Sequence, residues 1–91
     1  MPHVVMYSTA LCPFCARARR LFRKKGIAWE ELRVDRDKTL RLKMEQTASS
    51  HEVPQIFIDG VLIGGYDALV EMDVEDALDP LLGIGGERVT P

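Results

Sequence analysis

The spacing of its cysteines constrains this chain more than any other feature. Cys12 and Cys15 are the two cysteines of the sequence, and they stand in Leu-Cys-Pro-Phe-Cys, shortly after the apolar run at 3–7. Two thiols at this spacing are compatible with a disulfide, half of a metal site or a redox pair. The rest of the sequence has to decide among these possibilities.

Size and charge exclude several classes of function. With 91 residues, 46% of them apolar, the chain has the composition of one small globular domain. Its formal net charge of −2 does not attract nucleic acid, so we expect no nucleic-acid partner. The sequence starts without the basic segment of a secretory signal and has no apolar stretch of the ~20 residues that a membrane span needs. We therefore expect a cytoplasmic protein, where Cys-x-x-Cys pairs are more often catalytic or metal-binding than structural.

Hydrophobic periodicity predicts strands and helices in alternation. The first four elements are strand, helix, strand and helix, predicted at 3–7, 13–25, 27–35 and 38–47. Asp59 and Gly60 then separate two short apolar runs, which is the strongest hairpin signal in the chain. A last helix is predicted after Gly65, with a break before Pro80.

The predicted order β-α-β-α-β-β-α defines the fold class. It implies an α/β protein in which helices cover a four-stranded mixed sheet and a right-handed crossover joins two parallel strands. We expect one domain at 1–82 and a flexible, glycine-rich tail at 83–91.

This order of elements suggests a chemical role for each cysteine. Cys12 falls where the first strand passes into the first helix, and Pro13 suits the first helical position because it has no amide hydrogen. Free N–H groups and the positive helix end stabilise a thiolate there, so Cys12 is predicted to be the nucleophile. Cys15 lies one turn later on the same face and is predicted to resolve the disulfide that Cys12 forms.

Three motifs, in this order, resemble those of the dithiol glutaredoxins, small members of the thioredoxin fold. They are Cys-Pro-Phe-Cys at 12–15, Val-Pro-Gln-Ile-Phe-Ile-Asp-Gly at 53–60 and Gly-Gly-Tyr-Asp-Ala-Leu at 64–69. The resemblance covers most of residues 3–82. It implies a thioredoxin-like fold, a cis peptide bond before Pro54 and glutathione as co-substrate.

The resemblance also implies a glutathione site built from two segments. Val53 would offer its backbone to the cysteinyl part of the tripeptide, and Pro54, which has no N–H, would leave that edge open. Gly65, Tyr66 and Asp67 would hold the γ-glutamyl end at a helix start, where amides bind a carboxylate and Asp67 accepts from the ammonium.

Four further positions complete the comparison with the family. Arg41 matches the residue that holds the glycyl carboxylate, and Phe14, where the family usually has tyrosine, would pack beside the ligand. Thr9 stands where many relatives have lysine, and Glu52 where they have threonine. We expect Glu52, an added anion, to oppose both the thiolate and the binding of glutathione.

The resemblance implies a glutathione-dependent thiol–disulfide oxidoreductase. Cys12 would take the glutathionyl group from glutathionylated proteins, and both cysteines would serve protein disulfides such as that of ribonucleotide reductase. We expect the protein to use no metal, because His3 and His51 lack local ligand spacing. We also expect a monomer. Two alternatives remain: a redoxin reduced directly by thioredoxin reductase, and an iron–sulfur cluster carrier ligated by glutathione.

Overall fold

Four strands and four helices follow one another in residues 2–84, the part of the chain that the computed structural model describes. The elements are β1 Val4–Ser8, α1 Pro13–Lys24, β2 Glu30–Arg33, α2 Lys38–Ala48, β3 Gln55–Ile58, β4 Val61–Gly64, α3 Tyr66–Val74 and α4 Leu78–Leu81. The predicted α/β class and element order are confirmed, with the last helix in two pieces.

The strands form one mixed sheet in the order β2-β1-β3-β4. β1 runs parallel to β2, whereas β3 is antiparallel to both β1 and β4. Because β1 and β3 run in opposite directions, the end of β1 lies beside the start of β3, and Tyr7 pairs with Gln55. This pairing brings the loop that carries Cys12 next to the segment that carries Pro54.

The predicted hairpin joins β3 to β4. Asp59 and Gly60 form its two-residue loop with φ angles of 51° and 79°. Positive φ at both positions is the backbone of the type I′ turn, which matches the twist of the strands and which Asp-Gly favours. Register and turn agree in making the two strands antiparallel neighbours.

β2 is shorter than the predicted strand at 27–35. Gly26 adopts a positive φ of 71° after α1, and the Ile27 amide donates to the Phe22 carbonyl at 2.9 Å. This bond closes the end of α1 in a Schellman motif, so Ile27 belongs to the helix terminus and pairing with β1 begins only at Glu30. A glycine that stops a helix therefore also delays the next strand.

The last helix breaks at residues 75–77, between α3 and α4. Asp76 has a φ of 60°, and the Ala77 amide donates to the Met72 carbonyl at 2.8 Å. Pro80 itself lies inside α4, where a missing amide hydrogen is tolerated because first-turn amides have no helical partner. The predicted break before Pro80 is thus present, but a left-handed aspartate makes it.

Apolar side chains fill both faces of the sheet. The larger cluster joins α1, α3 and α4 to the strands through the buried residues Val4, Met6, Ala18, Phe22, Ile56, Ile58, Leu69, Leu78 and Leu82. The smaller one contains Tyr7, Val34, Met44 and Ala48 and lies under α2. In α2 the buried residue of the last turn is Ala48, whereas Thr47 is exposed and its hydroxyl donates to the Lys43 carbonyl at 2.7 Å.

The far end of α1 is tied to the last two helices. Lys25 Nζ lies 2.7 Å from an Asp73 carboxylate oxygen and 2.6 Å from one of Asp79. Two residues of the predicted tail at 83–91 are described: the Gly83 amide donates to Pro80 O and the Ile84 amide to Asp79 O. The rest of that prediction lies outside the described residues. No helix within 2–84 is both long and apolar enough to cross a bilayer.

Candidate functional site

The two cysteines differ in accessibility and are joined by a disulfide. Cys12 is the N-cap of α1 and is half-buried, whereas the Cys15 side chain has 0% exposure. The Cys15 amide donates to Cys12 Sγ at 3.0 Å, so a backbone N–H points at the sulfur of the less buried cysteine. In the dithiol form the same amide is placed to stabilise a Cys12 thiolate.

Two carboxylates, those of Glu31 and Asp35, bind the chain that leads from β1 to Cys12. At the end of β1, the buried Ser8 hydroxyl donates to Glu31 Oε2 at 2.6 Å. Two residues later, the Ala10 amide donates to Asp35 Oδ2 at 3.2 Å. The Arg33 guanidinium, at 2.7 Å, holds the pKa of Asp35 well below its ordinary range. Charged acceptors therefore hold the loop between β1 and α1 on its β2 side.

The segment before β3 passes close to the sulfur. The Val53–Pro54 peptide bond is cis, as the resemblance implies. Cys12 Sγ lies 3.9 Å from the Val53 carbonyl oxygen. Gln55 is buried and its Nε2 donates to the Glu52 carbonyl at 3.1 Å, which fixes the backbone on the other side of the proline. The backbone edge of Val53 is thus positioned beside the reactive thiol.

A cavity of about 380 Å³ opens between this segment and the start of α3. Its lining residues are Phe14, Glu52, Val53, Pro54, Gln55, Gly65, Tyr66, Asp67 and Ala68. The structure therefore brings together, from three distant parts of the chain, six of the seven residues predicted to bind glutathione.

The start of α3 forms one wall of the cavity. Gly65 is its N-cap, and no side chain caps the first amides of the helix. A Cβ built on Gly65 would lie 3.4 Å from the Pro54 carbonyl oxygen, so the helix start approaches the cis-proline segment closely. Free amides at a helix start bind carboxylates, and the exposed Asp67 carboxylate beside them can accept from an ammonium.

Arg41 is the predicted ligand that the structure does not place in this cavity. It lines a separate one with Glu45, Ser49, Ser50 and His51, and its Nε lies 3.6 Å from Glu45 Oε2. The two cavities adjoin through consecutive residues, because His51 lines one and Glu52 the other. A ligand lying in the first cavity would therefore have to extend past Glu52 to reach Arg41.

Aromatic rings lie beside the cysteine pair. The Phe14 and Tyr66 ring centroids are 6.0 Å apart, and the Arg17 guanidinium lies 5.2 Å from the centroid of Phe14. Phe14 is 47% exposed and Leu11, on the other side of Cys12, is 95% exposed. Apolar surface therefore flanks the accessible sulfur.

Charge at the cavity is negative. Glu52 and Asp67 both line it and are both exposed, whereas none of the lysines and arginines in the described part of the chain is among its lining residues. Within residues 2–84, no three His, Cys, Asp or Glu side chains gather as a metal site would require. A lysine or arginine of residues 2–84 would have to reach in from outside this lining to assist an anionic ligand.

Sequence reasoning missed two kinds of residue at this site. Gln55 and Ala68 line the cavity, and each directly follows a motif position that was assigned a role. Glu31 supports the loop from β2 and carries no local signal, since its partners Ser8 and Arg19 are distant in sequence. Only the pairing of β1 with β2 makes it part of the site's support.

Comparison with known proteins identifies the family. The family model for glutaredoxin matches residues 4–63. The chain is also 42% identical over 82 residues to Glutaredoxin 3 of Escherichia coli K12, an alignment that covers 90% of this chain and 99% of that protein. This chain belongs to the glutaredoxin family. It is therefore a thiol–disulfide oxidoreductase, and Cys12 and Cys15 are the redox-active pair.

Further relatives support the same assignment for this glutaredoxin. The glutaredoxin of Pseudomonas aeruginosa is 42% identical over 90% of this chain and 98% of its own length. A crystal structure of a buckwheat glutaredoxin–glutathione complex superposes with a TM-score of 0.84, at 27% identity over 93% of this chain and 80% of that one. The solution structure of Brucella melitensis glutaredoxin gives 0.79, at 37% identity over 91% and 90% of the two chains.

Proposed function

We propose that this glutaredoxin reduces protein–glutathione mixed disulfides and protein disulfides at the expense of glutathione. One observation carries the proposal: Sγ of the half-buried Cys12 lies 3.9 Å from the carbonyl oxygen of Val53, and Val53 lines a cavity that an uncapped helix start walls on the other side. That cavity has the backbone edge and the anion site that an extended, carboxylate-bearing tripeptide needs beside a reactive thiol. The relative crystallised with glutathione has the same fold.

The first reaction needs only Cys12. Its thiolate attacks the glutathione sulfur of a glutathionylated protein, so a Cys12–glutathione disulfide forms while the protein sulfur leaves as a thiolate and takes up a proton. A second glutathione thiolate then attacks the glutathione sulfur of this intermediate. Oxidised glutathione leaves and the Cys12 thiolate is restored.

The second reaction needs both cysteines. Cys12 attacks a protein disulfide and forms a mixed disulfide with one protein sulfur, while the other leaves as a thiol. Cys15 then attacks Cys12, the second protein thiol leaves, and the Cys12–Cys15 disulfide remains for two glutathione molecules to reduce. Cys15 suits this role because it is buried, so it meets only the sulfur of Cys12.

Glutathione binding is assigned to residues at the two ends of the cavity. Val53 pairs with the cysteinyl part of the tripeptide, and the amides that follow Gly65 receive the γ-glutamyl carboxylate while Asp67 accepts from its ammonium. Phe14 and Tyr66 supply the apolar side of the site.

Arg41 is assigned to the glycyl carboxylate, at the adjoining cavity. For this contact its guanidinium has to turn from Glu45, at 3.6 Å, toward the first cavity. Both side chains are partly exposed, so this ion pair is weak and easily exchanged.

The protein substrates are assigned by the sulfur group that they present to Cys12. They present a glutathionylated cysteine or a disulfide, and the disulfide of ribonucleotide reductase is one candidate of the second kind. A reaction that consumes reduced glutathione needs a compartment that keeps glutathione reduced, which favours the cytoplasm. The reaction needs no metal and no second copy of the chain.

A pair of cysteine variants tests the division of labour. With glutathione and glutathione reductase in a coupled assay, Cys12→Ser is expected to lose all turnover. Cys15→Ser should retain turnover of a small glutathione mixed disulfide and lose reduction of a protein disulfide. Alkylation of the reduced protein should label Cys12 first, because Cys15 is fully buried. Faster labelling of Cys15, or equal loss of both activities in Cys15→Ser, would overturn the roles.

Two further measurements on the same protein distinguish the proposed function from its two alternatives. Turnover with thioredoxin reductase in place of glutathione and its reductase would indicate a reductase-dependent redoxin. A stable brown colour after anaerobic reconstitution with iron, sulfide and glutathione would indicate a cluster carrier. We expect neither result.

A further inference from the structure

A row of cations runs along α1 away from the cysteines. Arg17, Arg20 and Lys24 are spaced i, i+3 and i+7, so they share one face of the helix, and all three are exposed. Together with Leu21 and Tyr66 they line a surface cavity of about 290 Å³. We call the surface formed by Arg17, Arg20, Lys24 and Tyr66 the basic surface.

These cations have no acidic partner in the part of the chain that the structure describes, 2–84. Arg19, by contrast, pairs with Glu31, and Lys25 pairs with Asp73 and Asp79. Arg23 lies over the ring of Trp29, on a different side of the helix from the row. α1 itself contains no acidic residue. Like charges one turn apart on a helix repel each other, and of these three cations only Lys24 lies in the last turn, where a positive charge stabilises the helix end.

The basic surface is continuous with the candidate active site. Tyr66 lines both the basic surface and the 380 Å³ cavity. The ring of Phe14, which follows Pro13, lies between the two, 6.0 Å from the ring of Tyr66 and 5.2 Å from the guanidinium of Arg17. A chain bound at Cys12 can therefore continue over these rings onto the cations.

We propose that the basic surface docks an acidic segment of the protein substrate, next to the cysteine that Cys12 attacks. The proposal rests on the proposed function and adds a preference among protein substrates to it. Complementary charge outside the reacting centre raises the rate of encounter and sets orientation. Turnover of glutathione mixed disulfides that carry no polypeptide should not depend on it.

Helix geometry gives the spacing of the recognised acids. At ~1.5 Å per residue, Arg17, Arg20 and Lys24 lie about 8, 12 and 18 Å along the helix axis from Cys12. An extended chain advances ~3.3 Å per residue, so it meets these cations about two to six residues from its own cysteine. The preferred substrate therefore has two or three Asp or Glu residues in that interval.

The surroundings favour a polypeptide over a nucleic acid as the occupant. The whole chain has a net charge of −2, so a long polyanion would be repelled beyond the row itself. Leu11, 95% exposed, and Phe14, 47% exposed, flank the reacting sulfur with apolar surface of the kind that contacts protein side chains.

Two glutathionylated peptides test the preference. One has Asp or Glu at the second, fourth and sixth positions on both sides of its cysteine, and the other has Asn or Gln at the same positions. At low ionic strength we expect kcat/KM to be about tenfold higher for the acidic peptide. The double variant Arg20→Gln/Lys24→Gln should lose most of this ratio, with the amide peptide changed less than about twofold. Addition of about 0.5 M NaCl should remove the ratio in the unsubstituted protein.

A control variant distinguishes an effect of the basic surface from an effect of the protein's overall charge. Arg36→Gln/Lys43→Gln removes the same charge from exposed positions outside α1 and should keep the preference. An equal loss in this control, or an acidic-to-amide ratio near one in the unsubstituted protein, would overturn the proposal.

A binding measurement tests docking independently of the thiol–disulfide reaction. Acidic and amide peptides with serine in place of cysteine cannot react, and their affinity for the oxidised protein can be followed by fluorescence anisotropy. Tighter binding of the acidic peptide, lost in Arg20→Gln/Lys24→Gln, supports docking even if no glutathione-dependent turnover is found. Equal binding of both peptides overturns docking even if turnover is normal. Binding of single-stranded DNA or anionic vesicles as tightly as the acidic peptide would assign the surface to another class of partner.

Discussion

At the scale of single residues, two carboxylates in one cavity have opposite proposed effects. Asp67 lies at the uncapped start of α3, where it can accept from the ammonium of glutathione. Glu52 lines the same cavity beside Val53 but has no cationic group of the ligand assigned to it. Its charge instead faces a tripeptide with two carboxylates and a thiolate-forming cysteine. Removal of one negative charge should therefore weaken binding at one position and strengthen it at the other.

This contrast gives a paired prediction. Asp67→Asn should raise the KM for glutathione several-fold, and Glu52→Gln should lower it, both by modest factors because exposed charges are screened. The alkylation rate of Cys12 should be little changed in Asp67→Asn and somewhat higher in Glu52→Gln. Steady-state kinetics in the glutathione reductase-coupled assay measures both values. A shift of KM in the same direction for both variants would contradict the assigned roles.

At the scale of elements, Glu31 joins β2 to β1 and α1. Its carboxylate accepts from Ser8 at the end of β1, from Arg19 in α1 at 2.5–2.9 Å and from the Trp29 indole at 3.0 Å. The Arg19 guanidinium is the main reason that the pKa of Glu31 falls from 4.5 to about 2, with Ser8 and Trp29 contributing. The cluster fixes α1, and therefore Cys12, against the sheet.

Glu31→Gln should destabilise the protein in a pH-dependent way. Because the pKa of Glu31 is lowered in the folded state, its contribution is complete above the ordinary value of 4.5 and is lost as the pH falls toward about 2. We expect a loss of ~1–3 kcal/mol at pH 7, by urea unfolding, and a smaller difference near pH 3.5. Glu30→Gln is the matched control, since Glu30 is exposed and, within residues 2–84, its ion pair is with the exposed His3, so the change should cost under ~1 kcal/mol. A pH-independent gap for Glu31→Gln would contradict this account.

At the scale of the whole molecule, the two faces of the sheet differ in the size of the apolar cluster that packs on them. Helices α1, α3 and α4 pack on the first around Phe22, whereas α2 packs on the second around Met44. Both side chains are fully buried. A chain of this length is stable by ~5–14 kcal/mol, so either contact is a large part of the total.

Truncation of the two buried side chains should show which face of the sheet contributes more to the free energy of unfolding. We expect Phe22→Ala to cost ~3–5 kcal/mol and Met44→Ala ~2–4 kcal/mol in urea unfolding, because the larger ring leaves the larger cavity in the larger cluster. Leu42→Ala, at an exposed position of α2, should change stability by under ~0.5 kcal/mol. A greater cost at Met44 would show that the α2 face is the stronger support of the fold.

Local patterns in the sequence were sufficient for the order of elements and the position of the redox pair. The Asp59-Gly60 turn and the entry of α1 at Pro13 depend on residues adjacent in the chain, and both occur as predicted. Cys15, one turn after Cys12, is buried, and the division of roles between the two cysteines stays a prediction. The cis bond at Pro54 was implied only by the family resemblance.

Contacts between distant segments were decided by the tertiary structure alone. Periodicity specifies which face of an element is apolar but not which neighbour covers it, so the sequence could not show that Glu31 supports the Cys12 loop or that Arg41 lines a cavity separate from Asp67. Nor could the sequence show which cations of α1 face an acidic partner. Only packing divides them, because Arg19 and Lys25 face acids on neighbouring elements whereas Arg17, Arg20 and Lys24 face solvent beside Tyr66.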